Sequence, residues 1–258
     1  MDELLIRTEG HIRVLTLNRP ERKNALSASL SAQLCDAAVQ AADDPEVWVV
    51  VLTATGDSAF CAGGDLKDMR SNDRNGRTQR TPTDGAARML FEVVSEIPKP
   101  TIAGINGAAV GGGFELMLCC DLRVASSAAK FGLPEAKRGM GANWATVVLP
   151  RIIPAARAYQ LLYTGEYIDA ARALDWGLVN AVVDPAVLDH ETMAMARAVA
   201  ANAPVSLRRM KETVVKSSTL PIATAARLNV GPNPYTSEDR KEGVAAFVER
   251  REPQWRNR

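Results

Sequence analysis

Residues 106–118 read Asn-Gly-Ala-Ala-Val-Gly-Gly-Gly-Phe-Glu-Leu-Met-Leu, with three consecutive glycines directly before an apolar, helix-prone run that holds one carboxylate. A short apolar stretch with strand character, residues 101–106, delivers the chain to Gly111, Gly112 and Gly113, so a strand must turn into a helix there. Bare amides at such a turn approach a ligand closely, at a helix end that favours negative charge. They are candidates to hold an oxyanion. Glu115 lies among Phe114, Leu116, Met117 and Leu118, surroundings that disfavour its charged form and move its pKa toward the range useful for proton transfer. The same letters also have a structural meaning, since glycines permit tight packing and a glutamate suits the first turn of a helix.

The 258 residues, 47% of them hydrophobic, suffice for a sizeable core. With 31 basic against 30 acidic residues the net charge is +1, which gives no electrostatic reason to expect nucleic acid or an anionic membrane as partner. No apolar run approaches the roughly 18 to 20 residues that span a bilayer, and a cytoplasmic location is expected. Cys35, Cys61, Cys119 and Cys120 form no CxxC pair and suit a reducing compartment. His11 and His190 are the only histidines, so neither a histidine-based triad nor a zinc site is expected. Chemistry here falls to carboxylates and backbone, with no metal.

Residues 4–8 and 11–17 are apolar runs parted by Glu9-Gly10, which predicts a hairpin. Ser27 reads as the N-cap of a helix in which Leu30, Leu34, Ala37, Ala38 and Ala41 recur at helical spacing until Asp43-Asp44-Pro45 stops it. Residues 47–52 form a continuous apolar run, as in a strand covered on both faces. A second glycine-bearing loop, residues 55–66, follows at that strand's carboxyl end, where α/β folds place ligands, and Asp65 is expected to cap a short helix. Residues 70–84 are polar without a period and read as a mobile surface loop. A helical pattern over 85–97 ends at Pro98-Lys99-Pro100, and 121–125 reads as a strand. Glu135 follows Pro134, where a solvated charge competes with a catalytic role. Helical patterns at 155–164, 170–176, 185–202, 205–218 and 238–251 enclose a strand over 178–183. The sequence predicts an α/β core over 1–200 and a helical end over 201–258.

At several of these places the chain resembles the enoyl-CoA hydratase/isomerase (crotonase) family. The resemblance is carried by Asn18-Arg19-Pro20 with Asn24-Ala25-Leu26, by residues 60–66 (Phe-Cys-Ala-Gly-Gly-Asp-Leu), by the stretch from Asn106 to Glu115, and by Phe131-Gly132-Leu133-Pro134-Glu135. Later motifs at 162–165, 173–179 and 238–247 extend it over nearly the whole chain. It implies a crotonase-like spiral of ββα units with a helical C-terminal trimerisation region, commonly a dimer of trimers. It also implies an acyl-CoA thioester ligand, coenzyme A being part of the substrate and not a cofactor. By resemblance, the Gly64 and Gly112 amides bind the thioester oxygen, and Ala62, Gly63, Gly64, Asp65, Leu66 and Lys67 run along the CoA arm. Lys23 matches a position near the CoA phosphates, with Ala25 beside it. Phe247 with Arg250 or Arg251 matches a wall that a neighbouring subunit supplies. Glu115 and Glu135 match the two carboxylates of the hydratases.

This agrees with what hydration demands. Adding water across a 2-enoyl thioester needs a base for the water, an acid for the α-carbon and donors for the enolate between them. Trp144 departs from the pattern by standing where glycine is common, and as a pocket wall it implies a short or unusual acyl group. Double-bond isomerisation needs only one carboxylate and is the nearest rival. A thioester hydrolase or dehydratase, and a non-catalytic CoA-binding protein, are further alternatives. A Rossmann domain fits poorly because neither glycine loop reads GxGxxG in a βαβ unit, and RNA binding lacks an aromatic-basic motif.

Overall fold

The structure, a computed structural model, describes residues 2–76 and 88–258. β1 (Leu4–Glu9) and β2 (Ile12–Leu17) form the predicted antiparallel hairpin. In α1 (Ala28–Asp43), the Ser27 hydroxyl accepts a hydrogen bond from the Leu30 amide at 2.9 Å, and the five apolar positions read from the sequence are the five that the helix buries. β3 (Val49–Ala54), β4 (Ala59–Cys61), α2 (Leu66–Arg74) and α3 (Leu90–Ser95) come next. β5 (Thr101–Ile105), β6 (Ala108–Val110) and α4 (Gly112–Leu118) repeat that order, and β7 (Leu122–Ser126), β8 (Lys130–Gly132), a 3-10 turn over Pro134–Arg138 and α5 (Asn143–Ile152) repeat it again. α6 (Ala155–Thr164), β9 (Tyr167–Asp169), α7 (Ala170–Asp175) and β10 (Ala181–Val183) complete the sheets. α8 (Leu188–Ala200), α9 (Pro204–Ser217), α10 (Ile222–Ala225) and α11 (Glu238–Glu249) follow.

Each repeat gives one strand to each of two sheets, so the chain winds as a spiral of ββα units. The larger sheet has the order β1-β2-β3-β5-β7-β10 and the smaller β4-β6-β8-β9. Pairing is parallel except between β1 and β2 and between β8 and β9. Alternation along the larger sheet sorts its side chains onto two faces. Leu15, Leu17, Val50, Leu52, Ala103 and Ile105 enter the main core between the sheets and their helices. Ile12, Val14, Val49, Val51 and Ile102 enter a smaller cluster closed by Met193 and Ala196 of α8. The buried Lys211 ammonium ties α9 to the core, donating to the Lys99 carbonyl at 2.9 Å and pairing with Asp121 at 2.8 Å.

The smaller sheet sets up the site. β4, β6 and β8 run parallel side by side, so their carboxyl ends open at one edge. From that edge leave residues 62–65, Gly111 to Gly113, and Leu133 to Glu135.

Some elements differ from the sequence reading. Residues 70–74 belong to α2 and are not loop, because a helix made almost wholly of polar residues carries no apolar period to reveal it. The rest of that proposed loop, from residue 77, lies outside the described residues, as does the start of the helix proposed from Gly85. The strand placed at 178–183 is confined to Ala181–Val183, since Leu178 and Val179 are buried in the turn after α7. No described helix is long and apolar enough to cross a membrane.

Candidate active site

Gly111 follows β6 with φ +57° and caps α4, its amide donating to the Gly132 carbonyl of β8 at 3.0 Å. The Gly112 amide is therefore in the first turn of α4, where amides have no partner within the helix. The loop after β4 meets it closely: a β-carbon on Gly63 would stand 3.1 Å from the Gly112 nitrogen. Gly64 bridges to Leu26, whose amide donates to the Gly63 carbonyl at 2.8 Å and whose carbonyl accepts from the Asp65 amide at 3.2 Å. In that pattern the Gly64 N–H faces away from Leu26. The structure thus brings the Gly64 and Gly112 loops together at one sheet edge.

Glu115, one turn into α4, is only 5% exposed. Its Oε1 accepts hydrogen bonds from the backbone amides of Trp144 at 2.7 Å and Ala145 at 2.9 Å, the free first-turn donors of α5. Those amides favour the carboxylate, but burial outweighs them. The Glu115 pKa is pushed up to about 7 by burial, with the nearby Glu135 charge adding to the rise and the Ala145 and Trp144 amides opposing it.

Glu135 sits in the Pro134–Arg138 turn, half-buried and not the solvated charge that competed in the sequence reading. Burial raises its pKa too, against its own backbone amide and Arg138. Its Oε1 lies over the Gly111–Gly113 loop, 3.1 Å from where a β-carbon on Gly111 would stand, and its Oε2 is buried without a hydrogen-bond partner among the described residues. A half-open cavity of about 180 Å³ borders Glu135, between Leu133, Met140, Ala142, Thr146 and Leu162. Glu115, with its pKa at about 7, can exchange protons with a substrate near neutral pH, and Glu135, shifted in the same direction, stands close enough to add to that rise.

Asp65 caps less than it anchors. Its Oδ1 accepts from the Lys67 amide at 3.1 Å, but both carboxylate oxygens lie 2.9 Å from Arg22 Nη2, and Arg19 stands at 3.5 Å. Arg19 also donates to the Ala25 carbonyl at 2.6 Å, and the Lys23 carbonyl accepts from the Ala62 amide at 3.0 Å. The buried Asn24 side chain donates to the Thr55 and Ala59 carbonyls at 3.0 and 2.9 Å. Residues 19–26 are thereby fixed beside the Gly64 loop, with the Lys23 and Lys67 side chains exposed along the rim and Leu66 half-exposed. Trp144 lies in the first turn of α5, with its ring near Phe91. Phe247 and Arg250 stay apart from the rest: α11 packs on the Pro234–Thr236 turn and on Trp255, and Phe247 is 85% exposed. Sequence reading missed the two α5 amides, the Arg19–Arg22 clamp and Phe91. None has a local signal, because each acts through a contact distant in the chain.

The wound pair of sheets thus carries glycine loops and two glutamates at the edge of the smaller one. The chain belongs to the enoyl-CoA hydratase/isomerase family, whose sequence profile matches residues 7–258. It is similar to the (E)-benzylidenesuccinyl-CoA hydratase of Thauera aromatica, 40% identical over 97% of this chain and 98% of that one. It is also similar to the crotonyl-CoA hydratase of Syntrophomonas wolfei, 34% identical over 97% and 96%. The crystal structure of an enoyl-CoA hydratase from Bacillus anthracis superposes with a TM-score of 0.89 at 32% identity, covering 100% of both chains.

Proposed function

We propose that the protein hydrates a 2-enoyl-CoA thioester, with Glu115 and Glu135 as its base and acid. The observation that carries this reading is the pair of carboxylates, both with raised pKa values, Glu115 in the first turn of α4 and Glu135 over Gly111 of the loop that precedes it. The thioester oxygen accepts from the Gly64 and Gly112 amides, which stabilise the enolate as charge moves onto that oxygen. Glu115, ionised in part near neutral pH and held as a carboxylate by two amides, removes a proton from water as its oxygen bonds to the β-carbon. In the productive state Glu135 carries the proton that it gives to the α-carbon. Exchange with solvent then resets both groups. Lys23 meets the CoA phosphates, residues 62–67 and Ala25 line the CoA arm, and Trp144 walls the acyl space. No metal or redox cofactor takes part. The acyl groups of the two curated relatives differ, one benzylidenesuccinyl and one crotonyl, so they fix no single substrate for this chain.

Crotonyl-CoA tests the reading. Purified protein is expected to remove the conjugated enoyl absorbance with water as co-substrate, and Glu135→Gln to slow this by about 100-fold or more. Binding of crotonyl-CoA with α-proton exchange that needs Glu115 alone, and no hydration, would replace the hydratase with an isomerase.

Assembly is part of the same proposal. Met210, Val214, Ile222, Val244, Phe247 and Val248 are exposed apolar side chains on the helical end, of the kind an interface covers. Three copies closing over these helices would cover it and place Phe247 and Arg250 of one copy at the site of another. Light scattering is expected to give three or six copies per particle; a monodisperse monomer that still hydrates substrate would refute the shared wall.

A further inference from the structure

We infer that Trp144 selects the acyl group, its indole N–H donating to an oxygen carried on the acyl chain beyond the double bond. The inference rests on the hydratase reading and adds a substrate class to it.

Three observations place the indole. The Trp144 backbone amide is 2.7 Å from Glu115 Oε1, so the residue is pinned at the proposed reacting centre. Its ring lies 6.4 Å from that of Phe91, centroid to centroid, tilted by 32°. The Phe91 ring edge in turn comes within 3.6 Å of where a β-carbon on Gly112 would stand. The Trp144 and Phe91 rings therefore stand near Gly112, while the Trp144 backbone holds Glu115.

The decisive feature is the indole nitrogen. Nε1 is buried and has no hydrogen-bond partner among the described residues. An indole N–H only donates, and a buried donor left unpaired loses the bonds it had to water. Phenylalanine or leucine would wall the same space without that loss. A purely hydrocarbon acyl chain would leave the donor unpaired in the complex as well. No protein group among the described residues supplies an acceptor to Nε1, so an oxygen on the substrate can supply it. That acceptor is a hydroxyl, carbonyl or carboxylate oxygen on the acyl chain, taken up with a small shift of the indole as the chain seats.

Three five-carbon thioesters of matched length test this: 2-pentenoyl-CoA, 5-hydroxy-2-pentenoyl-CoA and glutaconyl-CoA, which ends in a carboxylate. The parent protein is expected to prefer at least one oxygenated substrate over pentenoyl-CoA by about 10- to 100-fold in kcat/KM, and Trp144→Phe to bring that ratio within about 3-fold of unity. Preference for the hydroxyl alone marks a neutral acceptor, for glutaconyl alone a carboxylate. The substrate comparison on the parent needs no variant, so a misfolded Trp144→Phe cannot rescue the idea. Equal rates on all three substrates, or a preference that survives Trp144→Phe, would overturn the role of Trp144 while leaving the hydratase reading intact. If none of the three is hydrated, the role of Trp144 falls, and turnover of crotonyl-CoA decides the hydratase reading separately.

Discussion

Glu115→Gln is expected to lower kcat for hydration by about 100- to 10,000-fold, the usual range for removing a positioned acid or base, while KM changes little. Glutamine keeps an oxygen where Glu115 Oε1 accepts from the Trp144 and Ala145 amides, so α4 and α5 stay joined. It cannot take a proton from water. The Gly64 and Gly112 amides and the CoA contacts are untouched, which is why binding should survive. Steady-state kinetics on a substrate the parent hydrates will decide it. A variant within about 10-fold of the parent in kcat would remove Glu115 from the chemistry.

The same substitution should raise stability, and the sign follows from the pKa. Burial lifts the Glu115 pKa from 4.5 to about 7, so across that window the unfolded chain has released a proton that the folded protein still holds. Stability from this group is full below about pH 4.5 and declines as pH rises to about 7, by about 3 kcal/mol at most. Glutamine has no such loss. Glu115→Gln should therefore match the parent near pH 4.5 and exceed it at about pH 8 in urea melts, the gap being set between those values. A carboxylate kept only for structure would behave in reverse, its loss lowering stability at neutral pH. Activity and stability moving in opposite directions would mark Glu115 as a group retained for reaction at a cost to the fold.

Local chemistry explains which parts of this fold were readable in the sequence. α1 was legible in detail because one helix face repeats apolar residues and Ser27 caps its start. The β1–β2 hairpin was legible for a similar reason, alternation broken by a turn. β4, β6, β8 and β9 were not, because three residues hold no period and their pairing is set by successive turns of the spiral. Yet those short strands align the site. Glycine composition pointed to both loops, and the apolar flanks of Glu115 pointed to its raised pKa, since each cause lies within a few residues of its effect. The bonds from Trp144 and Ala145 to Glu115 span 29 and 30 residues, and the Arg22–Asp65 pair spans 43. Separations of that kind leave no trace in a local pattern. Resemblance to a family supplied the pairing of Glu115 with Glu135, which neither residue announces alone.

Gly113→Ala is expected to unfold the protein at a midpoint about 6 to 12 °C below that of the parent, a loss of about 3 kcal/mol or more. A β-carbon at Gly113 would stand 2.0 Å from the Cys61 carbonyl oxygen and 2.6 Å from its carbon. Both are backbone atoms, and neither is free to give. Cys61 ends β4, which pairs with β6 through Cys61 and Ala109, and the next residue, Ala62, is tied by its amide to the Lys23 carbonyl at 3.0 Å. The helix must move instead, by an ångström or so. Glu115 would then leave the 2.7 and 2.9 Å bonds that fix its carboxylate, and the Gly112 amide would leave its place beside the Gly63–Gly64 loop. Activity should therefore fall in whatever fraction stays folded, and faster with temperature than in the parent. Gly10→Ala supplies the comparison: Gly10 lies in the β1–β2 turn with φ +54° and nothing within 4 Å of the added carbon. That change carries only the backbone strain of a left-handed residue, about 1 to 2 kcal/mol, and should leave kcat unaltered. If Gly113→Ala melts no lower than Gly10→Ala, α4 does not rest directly on β4, and the close approach that brings the two glycine loops together is wrong.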